Sequence, residues 1–374
     1  MLLKKLQMKL PYIYKEYKNN KIIQAILLAF SFFYLIGYKI RLLLYKIKAL
    51  KTLSVPATVI SIGNLSTGGT GKTQITIELA RFLNKNSIKV AILARGYKRK
   101  DLGHTAHENI LVSDGEEILT SWDISGDEPY LIAKDSPKSI VLSGKNRIKA
   151  ALSAIKMGAQ AIILDDGYQY LKLKRDLNIL IIDSTKPLES ERLFPAGELR
   201  ELPNSLVRAD AIIFTNCQEN QIPDACLSTI KKFVKKELPL ISMHYKIKEI
   251  KGINITKKME AVDAKKLKFI AFSGIGNPES FTKTLKAEYL QIIDHIVFND
   301  HNEYTTDDIL KLINLALKNN IENLITTEKD AIKINYLCES APVTFWSCRI
   351  TPEWNNPEPF QQFLKPENIK SKVK

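Results

Sequence analysis

Apolar positions along the chain fall into one long N-terminal run and then a succession of short runs separated by amphipathic segments. The first, "IIQAILLAFSFFYLIGY" from Ile22 to Tyr38, is nearly free of polar groups. It predicts a helix somewhat shorter than the roughly 20 residues that cross a bilayer comfortably. Lys4, Lys5, Lys9, Lys15, Lys18 and Lys21 precede it, and Lys39, Arg41, Lys46, Lys48 and Lys51 follow, so flanking charge sets no orientation. The run starts late and no small-x-small site follows, which argues against a cleaved leader. Membrane attachment, spanning or lying in the interface, is expected; a helix buried in the protein core is the alternative.

After this helix the rhythm changes. "ATVISIG" reads as a buried strand, a glycine cluster follows, and "TQITIELARFLNKN" has helical spacing. Further strands are expected at "KVAILARG", "SIVLSG", "AQAIILDDG", "LNILIID" and "ADAIIFTN", with a helix at "NRIKAALSAIKMG". Continuous apolar strands alternating with helices indicate a parallel sheet covered on both faces. A lysine-rich stretch around 228–265 breaks the pattern. A second set then follows: "KLKFIAFSGIG", a helix from about Glu279, "LQIIDHIVF", the helix "TTDDILKLINLALKNN", and "ENLITTEKDA". The expected organisation is an N-terminal membrane-associated helical segment over 1–50, a core domain over 51–227, and a linker with a smaller α/β domain over 228–374.

With 374 residues, 45% of them apolar, the chain is long enough for two folded domains. The formal charge of +15 draws anions without choosing among nucleic acid, acidic lipid and phosphorylated small molecules. Much of it is lysine on amphipathic helices such as "TIKKFVKKEL", which reads as a solvated face. Aromatic residues interleaved with basic ones are not seen, so no nucleic-acid partner is expected. Cys217, Cys226, Cys338 and Cys348 have no paired spacing that would suggest zinc or a disulfide framework, which fits a reducing cytoplasm.

The glycine cluster "SIGNLSTGGTGKT" lies between strand and helix, as a phosphate loop requires. Gly68, Gly69 and Gly71 permit close approach of a phosphate, Lys72 can reach the β and γ phosphates, and the Thr73 hydroxyl suits Mg²⁺. Ser66 stands where the general pattern asks for glycine. Asp165 and Asp166 end a strand at the carboxyl edge of the sheet, where one carboxylate can hold the metal, or both can cap a loop. Asp127 opens the segment "DEPYLIAKD", as an N-cap or as a functional acid. Arg95, Tyr97, Lys98 and Arg99 in "RGYKRK" either meet an acidic substrate or form a plain basic loop. His301 in "FNDHNEYT" has the context of a surface loop histidine.

Taken together, "SIGNLSTGGTGKT", "LARGYKRK", "GDEPYLIA", "DDGYQY", "FPAGELRE", "FSGIGNPESF", "NDHNEYT" and "TTEKDAIK" occur in an order and spacing that resemble the tetraacyldisaccharide 4′-kinases of lipid A synthesis. The resemblance spans nearly the whole chain, including the apolar helix. It implies an α/β phosphate-loop NTPase core with a parallel sheet, a smaller second α/β domain and a membrane-associated N-terminal helix. It further implies transfer of the ATP γ-phosphate to the 4′-hydroxyl of a tetraacyl glucosamine disaccharide 1-phosphate at the cytoplasmic face of the inner membrane, by a monomer. Carried onto matching positions, Ser66, Thr67, Gly68, Gly69, Thr70, Gly71, Lys72 and Thr73 would bind ATP. Thr73, Asp165 and Asp166 would hold Mg²⁺, and Asp127 would be the general base, paired with His301. Tyr97, Arg147, Arg200 and Glu201 would meet the substrate. In the family the unusual phosphate loop is the normal form, so Ser66 is no defect. Tyr168 and Tyr170 replace the family's usual Phe and His, and Gln74 stands where Pro is common. Two other readings remain: a membrane-associated phosphate-loop ATPase or GTPase switch acting on a protein, and a nucleic-acid-binding ATPase. The first would want a guanine-reading Asn/Thr-Lys-x-Asp, and "TEKD" misplaces its lysine.

Overall fold

The computed structural model describes residues 20–96, 109–186, 188, 192–217 and 221–364. Helix α1 (Lys21–Lys46) comes first, then strand β1 (Thr58–Asn64), α2 (Lys72–Lys85), β2 (Val90–Ala94) and β3 (Ile110–Asp114). Next are α3 (Trp122–Ser125), α4 (Asp127–Asp135), β4 (Ile140–Ser143), α5 (Arg147–Lys156), β5 (Ala161–Leu164), β6 (Leu177–Asp183) and β7 (Ala211–Thr215). They are followed by α6 (Asp224–Phe233), β8 (Leu240–Gly252), β9 (Lys258–Met259), α7 (Ala261–Ala264), β10 (Lys268–Ser273), α8 (Pro278–Ala287) and β11 (Gln291–Val297). The last are α9 (Thr306–Lys318), β12 (Asn323–Thr327), α10 (Glu328–Ile334), β13 (Thr344–Trp354) and α11 (Glu358–Phe363). By compactness the chain forms two units, each discontinuous in sequence: Met1–Lys72 with Asp166–Ser242 and Asn356–Lys374, and Thr73–Asp165 with Met243–Asn355.

In the first unit β6 lies between β1 and β7, all parallel, and the opening residues of β8 continue the sheet beyond β7. Every residue of β1 and of β7 is buried, as befits strands covered on both faces. Leu65, Tyr168, Leu180, Ile212 and Phe214 are part of its core. Gly63 is required there: a Cβ would lie 2.6 Å from Tyr168 Cβ and 2.8 Å from its backbone nitrogen.

Helix α1 belongs to this unit and is longer than the apolar run predicts, at 26 residues, because it continues through Lys39 and Arg41 to Lys46. The Asn20 side chain caps its start by accepting from the Ile22 and Ile23 amides. One face is docked lengthwise on the protein. Gln24 meets Arg192, the Ser31 hydroxyl donates to the Leu193 carbonyl, the Tyr34 hydroxyl donates to the Arg200 carbonyl, and Arg41 donates to the Gln169 carbonyl. The opposite face presents Ile22, Ile26, Phe33, Ile36 and Ile40, all exposed. At 100° per residue these fall on one stripe, diametrically across from Leu27, Ser31 and Tyr38.

In the second unit β5, β2 and β4 are parallel and β3 closes the edge antiparallel. A further sheet runs β11–β10–β12–β13, all parallel, with the rest of β8 antiparallel to β13 and β9 beside β8. Here the structure corrects the sequence reading, since the lysine-rich interval contains the long strand β8. Its alternation was hidden by a bulge: Ile350 pairs Ile247 while Arg349 pairs Glu249, leaving Lys248 as the extra residue. With that one-residue slip Ile247 and Ile250 reach the same core, and Lys246, Lys248 and Lys251 stay exposed. Strands β3 and β13, also unanticipated, supply an edge and the partner of β8.

Candidate functional site

The glycine loop leaves β1 through backbone pairing rather than a turn. Ser66 bridges Leu199, the Thr67 amide donates to the Glu198 carbonyl at 2.6 Å, and the Arg200 amide donates to Leu65 at 2.6 Å. An extended, strand-like residue needs no glycine, which accounts for serine at 66. The left-handed positions are Gly68 (φ 104) and Gly71 (φ 77), where a Cβ would be strained. Asn64 ties the loop back by donating its side-chain amide to Thr70 Oγ1 at 3.1 Å. Lys72 then opens α2, bringing an ammonium and a helix N-terminus to one place.

Around Lys72 in the same unit stands an acidic residue shared by two cations. Asp166 lies 3.6 Å from the Lys72 ammonium, and Arg200 reaches its two oxygens at 2.9 and 2.8 Å. The positive excess suits an incoming anion. Glu201 is buried instead, accepting from the Tyr38 hydroxyl of α1 at 3.0 Å and from Arg208. Tyr168 is buried with its hydroxyl donated to the Ser205 carbonyl at 2.7 Å.

In the second unit Thr73 continues α2, and the Thr76 hydroxyl one turn later donates to Asp165 Oδ1 at 3.1 Å. Arg147 opens α5, is buried, and donates to the Asp165 carbonyl. Asp127 is the first residue of α4; Gly126, at φ 96, takes the N-cap position that the sequence offered to the aspartate. His301 is not a surface histidine. Its backbone sits at φ 56, its amide donates to the Gly274 carbonyl at 3.0 Å, and its side chain is 10% exposed. That placement aims Nδ1 at Asp127, 2.8 Å from Oδ2 and 3.0 Å from Oδ1.

Two lysines of α10 complete this cluster and were missed in the sequence. Lys333 Nζ lies 2.9 Å from Asp127 Oδ2, and Lys329 lies 3.2 Å from Glu128, 3.4 Å from Asp300 and 4.0 Å from Asp127. Their signal was the i, i+4 spacing in "EKDAIKI", which places both on one helix face. Burial works against ionisation of Asp127, but the His301 hydrogen bond and the charges of Lys329, His301 and Lys333 outweigh it and hold the carboxyl well below the usual range. Lys329 is likewise held charged: burial disfavours its ammonium, and Glu128, Asp300, Asp127 and Asp330 more than offset that. Tyr97 lies outside the described residues. Among the described residues no cluster of three or more His, Cys, Asp or Glu forms a self-contained metal cage.

Comparison with known proteins agrees with the resemblance found in the motifs. The family model described as tetraacyldisaccharide-1-P 4′-kinase matches residues 23–368. The tetraacyldisaccharide 4′-kinase of Halothermothrix orenii is 39% identical over 333 residues, covering 84% of each chain. That of Desulfatibacillum aliphaticivorans is 33% identical and covers 93% of this chain and 94% of its own. The crystal structure of LpxK from Aquifex aeolicus in complex with ATP superposes with a TM-score of 0.71 at 30% identity, covering 93% of this chain and 99% of that one. The chain therefore belongs to the tetraacyldisaccharide-1-P 4′-kinase family.

Proposed function

We propose that this protein transfers the γ-phosphate of ATP to the 4′-hydroxyl of a tetraacyl glucosamine disaccharide 1-phosphate, a late step of lipid A synthesis, at the cytoplasmic face of the inner membrane. The observation that carries the reading is that a chain of this family holds both a phosphate loop ending in Lys72 and a buried Asp127–His301 couple. Residues 66–73 bind ATP, Lys72 and the loop amides neutralising phosphate charge. Phosphoryl transfer needs little covalent help from the protein, so positioning and charge account for most of the rate. The 4′-oxygen bonds to phosphorus as the bond to ADP breaks, and its proton passes to Asp127. So acidic a carboxylate accepts the proton late, once phosphorus–oxygen bonding has made the hydroxyl acidic. His301 orients that carboxylate through Nδ1.

Thr73, Asp165 and Asp166 are the residues that would hold Mg²⁺, being the hard oxygen donors that such an ion takes. When bound, Mg²⁺ shields the phosphate charge and polarises the transferred group. Arg200, Glu201 and Tyr97 meet the substrate, and Arg147 acts through the Asp165 backbone it holds. For the division of labour we assign 51–227 as the kinase core and 228–374 as the smaller domain that carries His301. The protein acts as a monomer.

Helix α1 attaches the enzyme by lying in the interface. The hydrogen bonds from Tyr34, Tyr38 and Arg41 to the first unit support this, because a helix docked along one side cannot be surrounded by lipid. Such a mode leaves the acyl chains in the membrane, where extracting each buried CH₂ would cost about 0.8 kcal/mol. The switch reading is less favoured, since Lys329 of "TEKD" is taken up by Glu128 and Asp300. The test is to incubate the purified chain with Mg·ATP and the disaccharide 1-phosphate in detergent and assay the bisphosphorylated product. Asp127→Asn and His301→Ala are expected to keep ATP binding and lose turnover; folded protein that makes no product refutes the assignment.

A further inference from the structure

Lys333 is among the most enclosed cations of the described chain, 3% exposed, against an Asp127 carboxylate that is itself 5% exposed. An ammonium is buried at high cost unless a counter-charge stands beside it, and here that counter-charge is Asp127. At 2.9 Å from Oδ2 the ammonium lies off the direction of a hydrogen bond and makes none elsewhere among the described residues. Its contribution is therefore charge rather than a directed contact. Lys329 differs, because it divides itself among Glu128, Asp300 and Asp127 and is farther from the last. The bland account of Lys333 is packing of its aliphatic stem in α10 beside Ala331 and Ile334. That account gives the ammonium no reason to point at the carboxylate.

We infer that Lys333 is a positioning residue for phosphoryl transfer, its ammonium holding the Asp127 carboxylate in place against His301. The inference rests on the reading of Asp127 as the base. The charged groups around Asp127 are His301, Lys329 and Lys333, with Glu128 next to it and Asp300 behind Lys329. Of these, Lys333 is the one whose charge is directed at Asp127 alone. Removing it takes away a cation that faces the carboxylate, so Asp127, still ionised beside His301 and Lys329, loses the charge that fixes its direction.

The experiment uses the full chain in detergent with Mg·ATP and the disaccharide 1-phosphate, measuring kcat and KM. K333M keeps the stem and deletes the charge. It is expected to lower kcat about tenfold or more with KM for ATP within about twofold. K333R, which restores the charge, is expected to turn over at least about threefold faster than K333M. K333Q replaces K333M should the latter lose its cooperative melt. A neutral variant that folds and keeps the parental kcat overturns the inference, and so does K333R that is as slow as K333M. The two readings separate cleanly: Asp127→Asn with parental turnover sinks the base assignment, whereas inactive Asp127→Asn with parental kcat in K333Q sinks the role of Lys333.

Discussion

Replacing Ile26, Phe33 and Ile40 together by serine removes apolar side chains that are 50%, 67% and 51% exposed on the free stripe of α1. Full burial of such a side chain is worth about 1.5–3 kcal/mol, so the exposed fractions leave about 1–2 kcal/mol each for a membrane to recover. The triple variant then loses about 3–5 kcal/mol of partitioning, roughly a hundredfold to a few thousandfold weaker binding. Flotation of the full chain with vesicles containing anionic lipid measures this directly. Because the three side chains touch little of the first unit, the melting temperature should be that of the parent, each change costing within about 0.5 kcal/mol. Vesicle binding within about threefold of wild type would show that the stripe does not insert. A clear drop in melting temperature would show instead that it packs against protein, and either result refutes the interfacial reading.

Gly63→Ala forces a Cβ to within 2.6 Å of Tyr168 Cβ, where a strand and the chain after Asp166 have no room to part. It is expected to destabilise by about 1–3 kcal/mol or more in thermal unfolding, and a parental melt would contradict the packing argument. Tyr168→Phe loses the bond to the Ser205 carbonyl, so a cost of about 1 kcal/mol is expected, with kinase activity retained because the hydroxyl is spent on that backbone carbonyl. Glu328, buried and facing the Asp135 charge, has its pKa raised from 4.5 to about 7 despite Arg349. Its stabilising contribution is thus fully present below about 4.5 and is lost as pH rises through about 7, on the order of 2–3 kcal/mol. Glu328→Gln should flatten the fall in melting temperature between pH 5 and 8; an unchanged slope would show that Glu328 titrates normally.

Much of the fold was legible because short apolar strands buried on both faces keep their signal whatever surrounds them. "LNILIID" is β6 residue for residue, and the phosphate loop announced itself by glycines that a left-handed backbone demands. What was missed has a local cause. β8 disguised itself by the bulge at Lys248, which breaks period-two alternation, and the end of α1 by lysines that the helix accepts on its exposed side. His301 looked like a surface loop residue because nothing in "NDHNEYT" encodes the Gly274 carbonyl that orients its backbone.

By itself the sequence determined the chemistry available: a loop for phosphate, two adjacent carboxylates, an aspartate and a histidine in recognisable order, and an apolar helix. These follow from residue type and near-neighbour spacing, which are local properties. Only the tertiary structure decided that Ser66 is extended, that α1 gives one side to the protein and keeps the other apolar, and that two lysines from α10 stand beside Asp127. Those facts join residues distant in sequence, such as Asp127 and Lys333, whose electrostatic coupling depends on a separation of 2.9 Å that no periodicity along the chain can specify.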